Sequence, residues 1–488
     1  MSKNTLFCQC AKSLLCLAIA ASTSIAHANR IAQTSQPTQM SDYLSKFSGV
    51  NQLGELSLNI PQSQYFSTDD GVPVVFTAMH HLPIVDISLG FDAGSGHDEL
   101  IRRGADGEIA MMVSAMMTQG TKTLDEEAFY EKADQLAMSL SSSVERESFD
   151  IDLRIIKDGT QLDEAVDLML DAYRNPRFDE KILARNKARL KVAYQANEAS
   201  PKFLATRAFN GIMEQNNPHA YDDDIKKIDL LSQDELFAFV DRFLVVQNAK
   251  LAITGDLTLE EAKTLANRIS RGLKNGKKAE KVKAHQAPTP IHHHIDYPST
   301  QTQIIIGGIA PAVPINQQAI RQYSDFVMGN AVLAGGDFNA RLTQAIRVKK
   351  GYTYGISGSL SYNDQRSVYS IGFSTKNEEA TAAINDTLAT IDEVLSSGIT
   401  QRELDLEKAG TKNAYPARFA NHAGVHDAIS ATFFGGYPKD HLHTRFERID
   451  RATLDSVNAA LRHFIIPNNF VIVTVGAIKP TIILPKDN

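Results

Sequence analysis

Two histidines in the last quarter of the chain have a spacing that could bind a metal. His422 and His426 lie four residues apart and therefore share one face of a helix, and Asp427 follows the second. Such a pair could hold zinc, but no glutamate lies between the two histidines to act as a base. We predict an ordinary polar helix face here, with a metal site as the alternative.

The other histidine clusters predict surface positions. A run of three histidines, His292–His294, follows a stretch rich in lysine and proline. This composition indicates a solvated linker, with adventitious metal binding as the alternative. His80 and His81 precede a Leu-Pro pair at the start of a strand, where we expect both to be exposed.

Other common catalytic signatures are missing from the sequence. It contains no H-x-x-E-H, no H-E-x-x-H and no G-x-S-x-G, and no phosphate-binding glycine motif in a strand–helix context. The formal net charge is −7 and no basic face is evident, which argues against a nucleic-acid partner.

The N-terminus has the pattern of a secretory signal peptide. Lys3 and Lys12 precede an apolar run, and an Ala-His-Ala cleavage site ends at residue 28. We predict a signal peptide over residues 1–28 and a flexible leader over 29–51. No later apolar run is long enough to span a bilayer, so we expect export without stable membrane insertion. All three cysteines lie in the segment that would be removed, leaving the exported chain without a thiol.

Alternating strands and capped helices set the predicted fold class. Residues 85–91 and 149–155 alternate apolar and polar side chains, which predicts two half-buried strands. Helix starts with capping-box spacing occur at Thr123/Glu126, Ser232/Glu235, Thr258/Glu261 and Thr400/Glu403. Strands interleaved with helices in this order favour an α+β arrangement, with a sheet and helices packed on one face.

An internal repeat predicts two homologous domains. Six positions recur 221 residues later: Ile228/Ile449, Asp229/Asp450, Ser232/Thr453, Phe243/Phe464, Asn248/Asn469 and Gly255/Gly476. Each copy predicts a capped helix, a turn and an apolar strand that ends in glycine. We therefore expect one domain over 52–271, a linker over 272–294 and a second domain over 295–488.

The stretch from residue 107 to residue 121 is an amphipathic helix with one buried face, followed by a Gly-Thr pair. This strand–loop–helix order resembles the first catalytic helix of the pitrilysin/insulinase family of inverted-zincin metallopeptidases. In active members H-x-x-E-H on this helix holds zinc and activates its water. Met111, Ser114 and Ala115 occupy those positions here. None of the three binds zinc or accepts a proton near neutral pH, so we predict a degenerate zinc site and no metal.

A second motif carries the resemblance into the second domain. A Gly-rich turn at 335–342 leads into a helix that ends near a Lys-Lys-Gly turn, followed by a strand-like Tyr-Thr-Tyr. The resemblance implies that Arg347 and Tyr354 reach the zinc site of a facing domain. Both are suitable donors to the negative charge that develops on a scissile carbonyl oxygen. The alternative is that both are inherited scaffold.

The family's third zinc ligand is a glutamate on a later helix of the first domain. The corresponding region, 179–198, is basic in its middle and acidic only at its ends. We assign no ligand there, and we expect Glu180 and Glu198 to be solvated helix residues. The prediction is therefore no cofactor in this chain, with zinc in a partner subunit.

The resemblance also implies an assembly. Two-domain subunits of this family pair like a clamshell around a peptide, and in the bacterial periplasmic branch one subunit often lacks the zinc motif. We therefore expect a non-catalytic subunit of a periplasmic zinc metallopeptidase heterodimer. Its partner would be a homologous H-x-x-E-H subunit, and together they would bind an extended peptide as an added strand. The alternatives are a peptide-binding or structural assembly protein without hydrolysis, and an active peptidase that uses another metal site.

Overall fold

The computed structural model describes residues 59–220, 224–282, 287–362 and 366–482. The predicted signal peptide and leader lie outside these ranges. We refer to residues 59–282 as the first half and to residues 287–482 as the second half. None of the helices in the described ranges is long and apolar enough to cross a membrane.

The first half alternates strands with helices. In chain order its elements are β1 (Ser63–Ser67), β2 (Pro73–Ala78), β3 (Ile84–Phe91), α1 (Glu108–Met117), α2 (Glu126–Gln135), β4 (Ser139–Val144), β5 (Phe149–Ile156), α3 (Gln161–Arg174), α4 (Glu180–Glu198), α5 (Pro201–Gln215), α6 (Asp224–Leu230), α7 (Gln233–Phe243), β6 (Ala249–Gly255) and α8 (Leu259–Arg271).

The second half also alternates strands with helices, and it contains one π-helix. Its elements are β7 (His292–Asp296), β8 (Gln301–Ala310), α9 (Gln317–Ala334), a π-helix (Thr343–Lys349), β9 (Ile356–Tyr362), β10 (Ser367–Lys376), α10 (Ala380–Ser397), α11 (Gln401–Ala414), α12 (His422–Phe434), α13 (Arg445–Arg451), α14 (Leu454–Phe464) and β11 (Val471–Gly476).

Each half forms one mixed sheet in which antiparallel pairs dominate. The first sheet has the order β1-β2-β6-β3-β5-β4, and only the β2–β6 pair is parallel. The second sheet has the order β7-β11-β8-β10-β9, with a parallel β7–β11 pair. On one face of each sheet, helices of the same half bury the main core. The predicted α+β class with two mostly antiparallel sheets is confirmed.

The opposite face of each sheet is covered by a helix from the other half. Helix α5 of the first half packs Ala208, Phe209 and Ile212 against Val471 and Val473 of β11. Helix α12 of the second half packs on the first sheet over β2, β3 and β6. The prediction of a half-buried strand at 85–91 is therefore wrong for β3, which is buried on both faces because α12 covers its polar side.

The repeat is confirmed, and it extends to contacts that the sequence comparison missed. Helices α7 and α14 and strands β6 and β11 occupy corresponding positions in the two halves. Lys187 donates to the carbonyl oxygens of Asp229 and Leu231 at 2.7 and 2.9 Å. Lys408, 221 positions later, donates to those of Asp450 and Ala452 at 3.2 and 2.5 Å. Lys187 therefore ties α4, and Lys408 ties α11, to the start of the repeated unit in its own half.

The predicted helix starts are mostly correct. Ser232, Thr258 and Thr400 each form a reciprocal capping box with the glutamate three residues later. The prediction for Thr123 is wrong, because the N-cap of α2 is Asp125, whose carboxylate accepts from the Ala128 amide. A carboxylate one residue before the helix satisfies the free amides as well as a threonine would.

The linker prediction is wrong for the three histidines. His292, His293 and His294 form the first part of β7, an edge strand paired with β11, and all three are partly buried. The Thr474 hydroxyl lies 2.9 Å from His292 Nε2 and 2.8 Å from His294 Nδ1. Burial lowers the pKa of His292 to about 4, so this ring is neutral near pH 7. The wider limits of the two domains stay a prediction.

Gly255 gives a test of the repeated unit. It has φ +157, and a Cβ there would lie 2.4 Å from the carbonyl oxygen of Ile84. We expect Gly255→Ala to lower the free energy of unfolding by at least about 2 kcal/mol, measured by chemical denaturation. Gly71→Ala is the control, since its φ is +83 but nothing lies within 4 Å of the new Cβ. That change should cost about 1 kcal/mol of backbone strain, so equal losses would contradict the steric argument.

Candidate functional site

The outward face of α1 has no group that can bind zinc. The helix buries Ile109, Met112 and Met116 against the core, as predicted. Met111 and Ala115 are exposed on the opposite side, Met111 with 54% of its surface. A thioether and a methyl group do not fit a borderline zinc ion that takes imidazole, thiolate or carboxylate ligands.

Ser114, the third residue of this face, is already engaged by the neighbouring strand. Its hydroxyl donates to the carbonyl oxygen of Ser142 at 3.0 Å, and the Ser142 hydroxyl donates to the carbonyl oxygen of Ser114 at 2.8 Å. The pair fixes α1 to β4, which is the last strand of the first sheet. Ser114 therefore makes a polar contact with β4, and no strand of the described ranges pairs with the outer edge of β4.

A buried carboxylate holds the N-terminus of α1. The Asp98 carboxylate accepts from the backbone amides of Ile109 and Ala110, at 2.7 and 3.2 Å. Arg102 adds a second anchor, since Nη2 donates to Glu108 and Nε to Glu235 of α7, each at 2.6 Å. These contacts position α1 firmly although its outward face has no ligand.

Asp98 gives the helix a pH dependence. Burial raises the pKa of this carboxyl to about 7, despite the amides that favour its ionised form. The folded protein then binds a proton that the unfolded chain releases near pH 4, so stability should fall as the pH rises from about 4 to about 7. Asp98→Asn keeps an acceptor oxygen without titrating. We expect urea titrations to show the wild type losing stability relative to this variant across that range, and a constant difference would refute the assignment.

Arg347 and Tyr354 both lie at the surface of the second half. Arg347 is in the π-helix, an uncommon geometry that is frequent at functional sites. Tyr354 lies in a bend just before β9, not in a strand as predicted, and 90% of its surface is exposed. Neither side chain forms a hydrogen bond or ion pair with the rest of the described chain. Both are therefore available to a second molecule.

A bidentate ion pair supports the segment that presents Arg347. Arg341 donates from Nε and Nη2 to the two carboxylate oxygens of Glu403, at 2.5 and 2.9 Å. These bonds from Arg341, together with the amide and hydroxyl of Thr400, hold the pKa of Glu403 down to about 2. The pair joins the turn before the π-helix to the first turn of α11, and it persists over the whole neutral range.

Helix α4 is the region that corresponds to the family's third zinc ligand, and it approaches the end of α1. Glu180 and Glu198, at the two ends of α4, are exposed as expected. Where α4 approaches the end of α1, the contact is a hydrogen bond from Asn186 to Gln119 at 2.8 Å. No group of three or more histidine, aspartate or glutamate residues in the described ranges is arranged to hold a metal.

Comparisons with known proteins agree with this geometry. Residues 74–221 match the model for insulinase (peptidase family M16), and residues 231–411 match the model for the peptidase M16 inactive domain. This chain belongs to the M16 family. The inactive-domain match begins in the first half and covers most of the second. Together with the missing H-x-x-E-H on α1, it makes the chain an inactive-type M16 homologue.

Individual M16 relatives point the same way. The chain is 23% identical to the "non-peptidase homolog YmxG" of Helicobacter pylori, over 79% of this chain and 88% of that protein. A "peptidase M16 inactive domain" from Pseudomonas fluorescens is 25% identical with a TM-score of 0.78, covering 86% of this chain and 99% of that one. The periplasmic protease PqqL of Escherichia coli shares the fold at 13% identity with a TM-score of 0.73, covering 93% and 49%.

The predicted polar face of α12 is wrong, because His422 and His426 are buried between this M16 protein's two halves. They are 8% and 6% exposed. His422 Nδ1 lies 2.7 Å from the Asp86 carboxylate. His426 lies 2.9 Å from the hydroxyls of both Ser88 and Thr254. The histidines therefore contact polar side chains of the first sheet.

Burial and nearby charges act in opposite directions on the pKa of His426. Burial lowers the pKa of His426, although the nearby carboxylates oppose that effect. Burial also disfavours the ionised form of Asp86, but Arg154 and His422 outweigh it and hold the pKa below its usual value. Arg154 donates to both oxygens of Asp86 at 2.6 and 2.9 Å. Polar residues on alternating positions of β3 were the only sequence signal for this network.

Proposed function

We propose that this chain is the non-catalytic subunit of an exported, periplasmic zinc metallopeptidase. Its partner is a homologous M16 subunit that carries H-x-x-E-H and therefore binds the zinc. The observation that carries the proposal is a contrast within one molecule. The face of α1 that would bear the zinc ligands in an active member carries Met111, Ser114 and Ala115 instead. Arg347 and Tyr354, in contrast, are exposed and form no side-chain hydrogen bond or ion pair within the described chain.

The anchors around both regions support a retained role rather than decay. Asp98 and Arg102 still hold α1, and Arg341 still holds the segment before Arg347. The match to PqqL covers 49% of that chain, so PqqL has room for a second unit of this size. We infer that two such units form one peptide chamber, of which this chain provides half.

In this proposal the subunit contributes hydrogen-bond donors to the reaction, and its partner binds the metal. In peptide hydrolysis negative charge develops on the scissile carbonyl oxygen, and fixed donors aimed there lower the barrier. The guanidinium of Arg347 and the phenol of Tyr354 would donate to that oxygen in the partner's site. The free edge of β4 would extend the sheet with the peptide backbone, which binds many sequences by the same main-chain hydrogen bonds.

The test is reconstitution with the zinc-bearing homologue, which we expect to be encoded next to this chain. Light scattering should show a 1:1 complex, and zinc should be stoichiometric with the partner alone. Peptide cleavage should require both chains and stop on chelation. The competing role, a peptide-binding or assembly protein without hydrolysis, is favoured instead if the two chains do not associate or if the partner cleaves equally well alone. Stoichiometric zinc and chelator-sensitive cleavage by this chain alone would overturn the proposal.

A further inference from the structure

Several arginines line a small pocket in the second half. It lies between the first turn of α9, the segment 438–444 and α13, and has a volume of about 230 Å³. Arg321, Arg448 and Arg451 line it, opposed by Asp440 and Glu447. Glu447 already pairs with Arg451 at 2.5 Å. The lining therefore keeps more positive than negative charge.

Arg448 is held in place by hydrogen bonds to neutral groups, although Asp440 and Glu447 lie nearby. It donates from Nη1 to the Thr444 hydroxyl at 2.5 Å and from Nη2 to the His441 carbonyl oxygen at 2.6 Å. Both acceptors are neutral, and its Nε is buried without an acceptor. Arg321, Arg445 and Arg448 form no ion pair within the described chain. Burial lowers the pKa of the Arg448 guanidinium, and the charge of Arg445 lowers it further.

The positive potential also acts on the neighbouring imidazole. The pKa of His441 falls to about 4, first because the ring is buried and then because Arg448, Arg445 and Arg418 repel a further charge. The ring is therefore neutral near pH 7 and does not add to the charge. Its Nδ1 is buried and has no partner.

Other partly buried arginines in this protein do have carboxylate partners. Arg102 pairs with Glu108 and Glu235, as shown above. Arg154 pairs with Asp86 and Arg341 with Glu403 in the same way. A guanidinium removed from water without such a partner is unfavourable, and a bound anion is the usual compensation.

The repeat shows what has changed at this position. Helix α13 corresponds to α6 at the same offset of 221 residues, so Arg448 corresponds to Lys227 and Arg445 to Asp224. In α6, Lys227 Nζ lies 3.7 Å from the Asp224 carboxylate. In α13 the internal carboxylate has been replaced by a second cation. The second copy therefore has no carboxylate at the position where Asp224 pairs with Lys227 in the first.

We propose that this pocket binds a small oxyanion, a phosphate or carboxylate group, through Arg321 and Arg448. Arginine suits both groups because its planar N–H donors match two oxygens at once. The site is independent of the proposed peptidase role, since it involves neither α1 nor the π-helix. The anion would neutralise the cluster and fix segment 438–444 against α9 and α13.

The test is a calorimetric titration of the mature chain with inorganic phosphate, at constant ionic strength so that screening does not change. We expect saturable 1:1 binding that Arg321→Gln weakens at least tenfold. Arg321 is exposed, so this variant should fold normally. Arg271→Gln is the matched control, because Arg271 is an exposed arginine paired with Asp69. Its affinity for phosphate should equal that of the wild type.

A second variant tests the argument from the repeat. Arg445→Asp restores the carboxylate that α6 has, so it should pair with Arg448 and weaken phosphate binding at least tenfold. Its melting temperature without phosphate should be at least that of the wild type. A parallel titration with acetate distinguishes the source: competition with phosphate indicates that carboxylates also enter, and no competition indicates a phosphate site. The proposal is overturned if neither ion binds saturably, or if both variants bind as tightly as the wild type.

Discussion

An Asp86→Ala variant is expected to lose about 3 kcal/mol of its free energy of unfolding. Asp86 is 3% exposed and lies between β3 and α12, where it accepts from Arg154 of β5 and contacts His422 of the second half. Its removal leaves His422 buried with neither ring nitrogen paired, since Nε2 already lacks a partner. Arg154 can partly rehydrate because 45% of its side chain is exposed, which places the loss at the lower end for a broken buried pair.

The matched control is another Asp–Arg pair in a different environment. Asp69 and Arg271 lie 2.8 Å apart, each with 66% of its side chain exposed. Asp69→Ala should therefore cost at most about 1 kcal/mol, as exposed ion pairs do. Urea denaturation gives both values. Equal losses of unfolding free energy would mean that the buried network between the halves stabilises the protein no more than an exposed ion pair does.

A double-mutant cycle assigns the effect to the contact between halves. Asp86→Ala and His422→Ala remove the two sides of one bond, so their effects should not add, and a coupling energy of about 1 kcal/mol or more is expected. The same cycle with Asp86→Ala and Asp69→Ala should be additive, because those residues belong to separate ion pairs. Additivity in both cycles would contradict the assigned contact.

Local and repeated features of this fold could be predicted from sequence. The buried face of α1 follows from apolar residues at helical spacing, and three of four helix starts follow from capping boxes. The duplication follows from identities at one offset. Each of these signals depends on neighbours in sequence or on a comparison within the chain, so no knowledge of the tertiary packing is required.

The exchange of helices between halves could not be predicted in this way. An amphipathic pattern shows that a face is buried but not which sheet buries it. Helix α12 is rich in small and apolar residues on all sides, and its two histidines were interpreted as solvated because their partners lie more than 170 positions away. Asp86 and Ser88 were interpreted as the exposed side of β3 for the same reason. Burial of polar residues depends on long-range partners that periodicity does not reveal.

Within the candidate site, the sequence revealed only the positions at which the zinc ligands of the known motif are replaced. The absent ligands at positions 111, 114 and 115 are visible in the sequence. The supports are not, because Asp98 caps a helix that begins ten residues later and Arg341 meets a glutamate 62 positions away. The pocket around Arg448 was missed because an unpaired arginine resembles any surface cation until its surroundings are known.

Arg347→Ala is expected to lower kcat of the reconstituted complex about 100-fold or more, and Tyr354→Phe by a similar factor. Each variant removes donors that act on charge present only in the transition state. A loss of this kind lowers kcat and kcat/KM together and leaves KM nearly unchanged. Both residues are exposed and without partners in the described chain, so the fold of this subunit should be unaffected. Steady-state kinetics on a defined peptide gives both constants.

Lys349→Ala is the matched control for this prediction. Lys349 is an exposed cation in the same π-helix, two residues from Arg347, so the variant reports any general effect of charge or local folding. Its kcat should match that of the wild-type complex. Light scattering must show that all variants assemble equally, because a complex that fails to form would imitate a loss of donors. Unchanged kcat for Arg347→Ala and Tyr354→Phe in fully assembled complexes would remove the donor role and leave the chain as a wall of the chamber. A fall in kcat for Lys349→Ala as well would indicate that positive charge near the peptide acts by attraction rather than by directed donation.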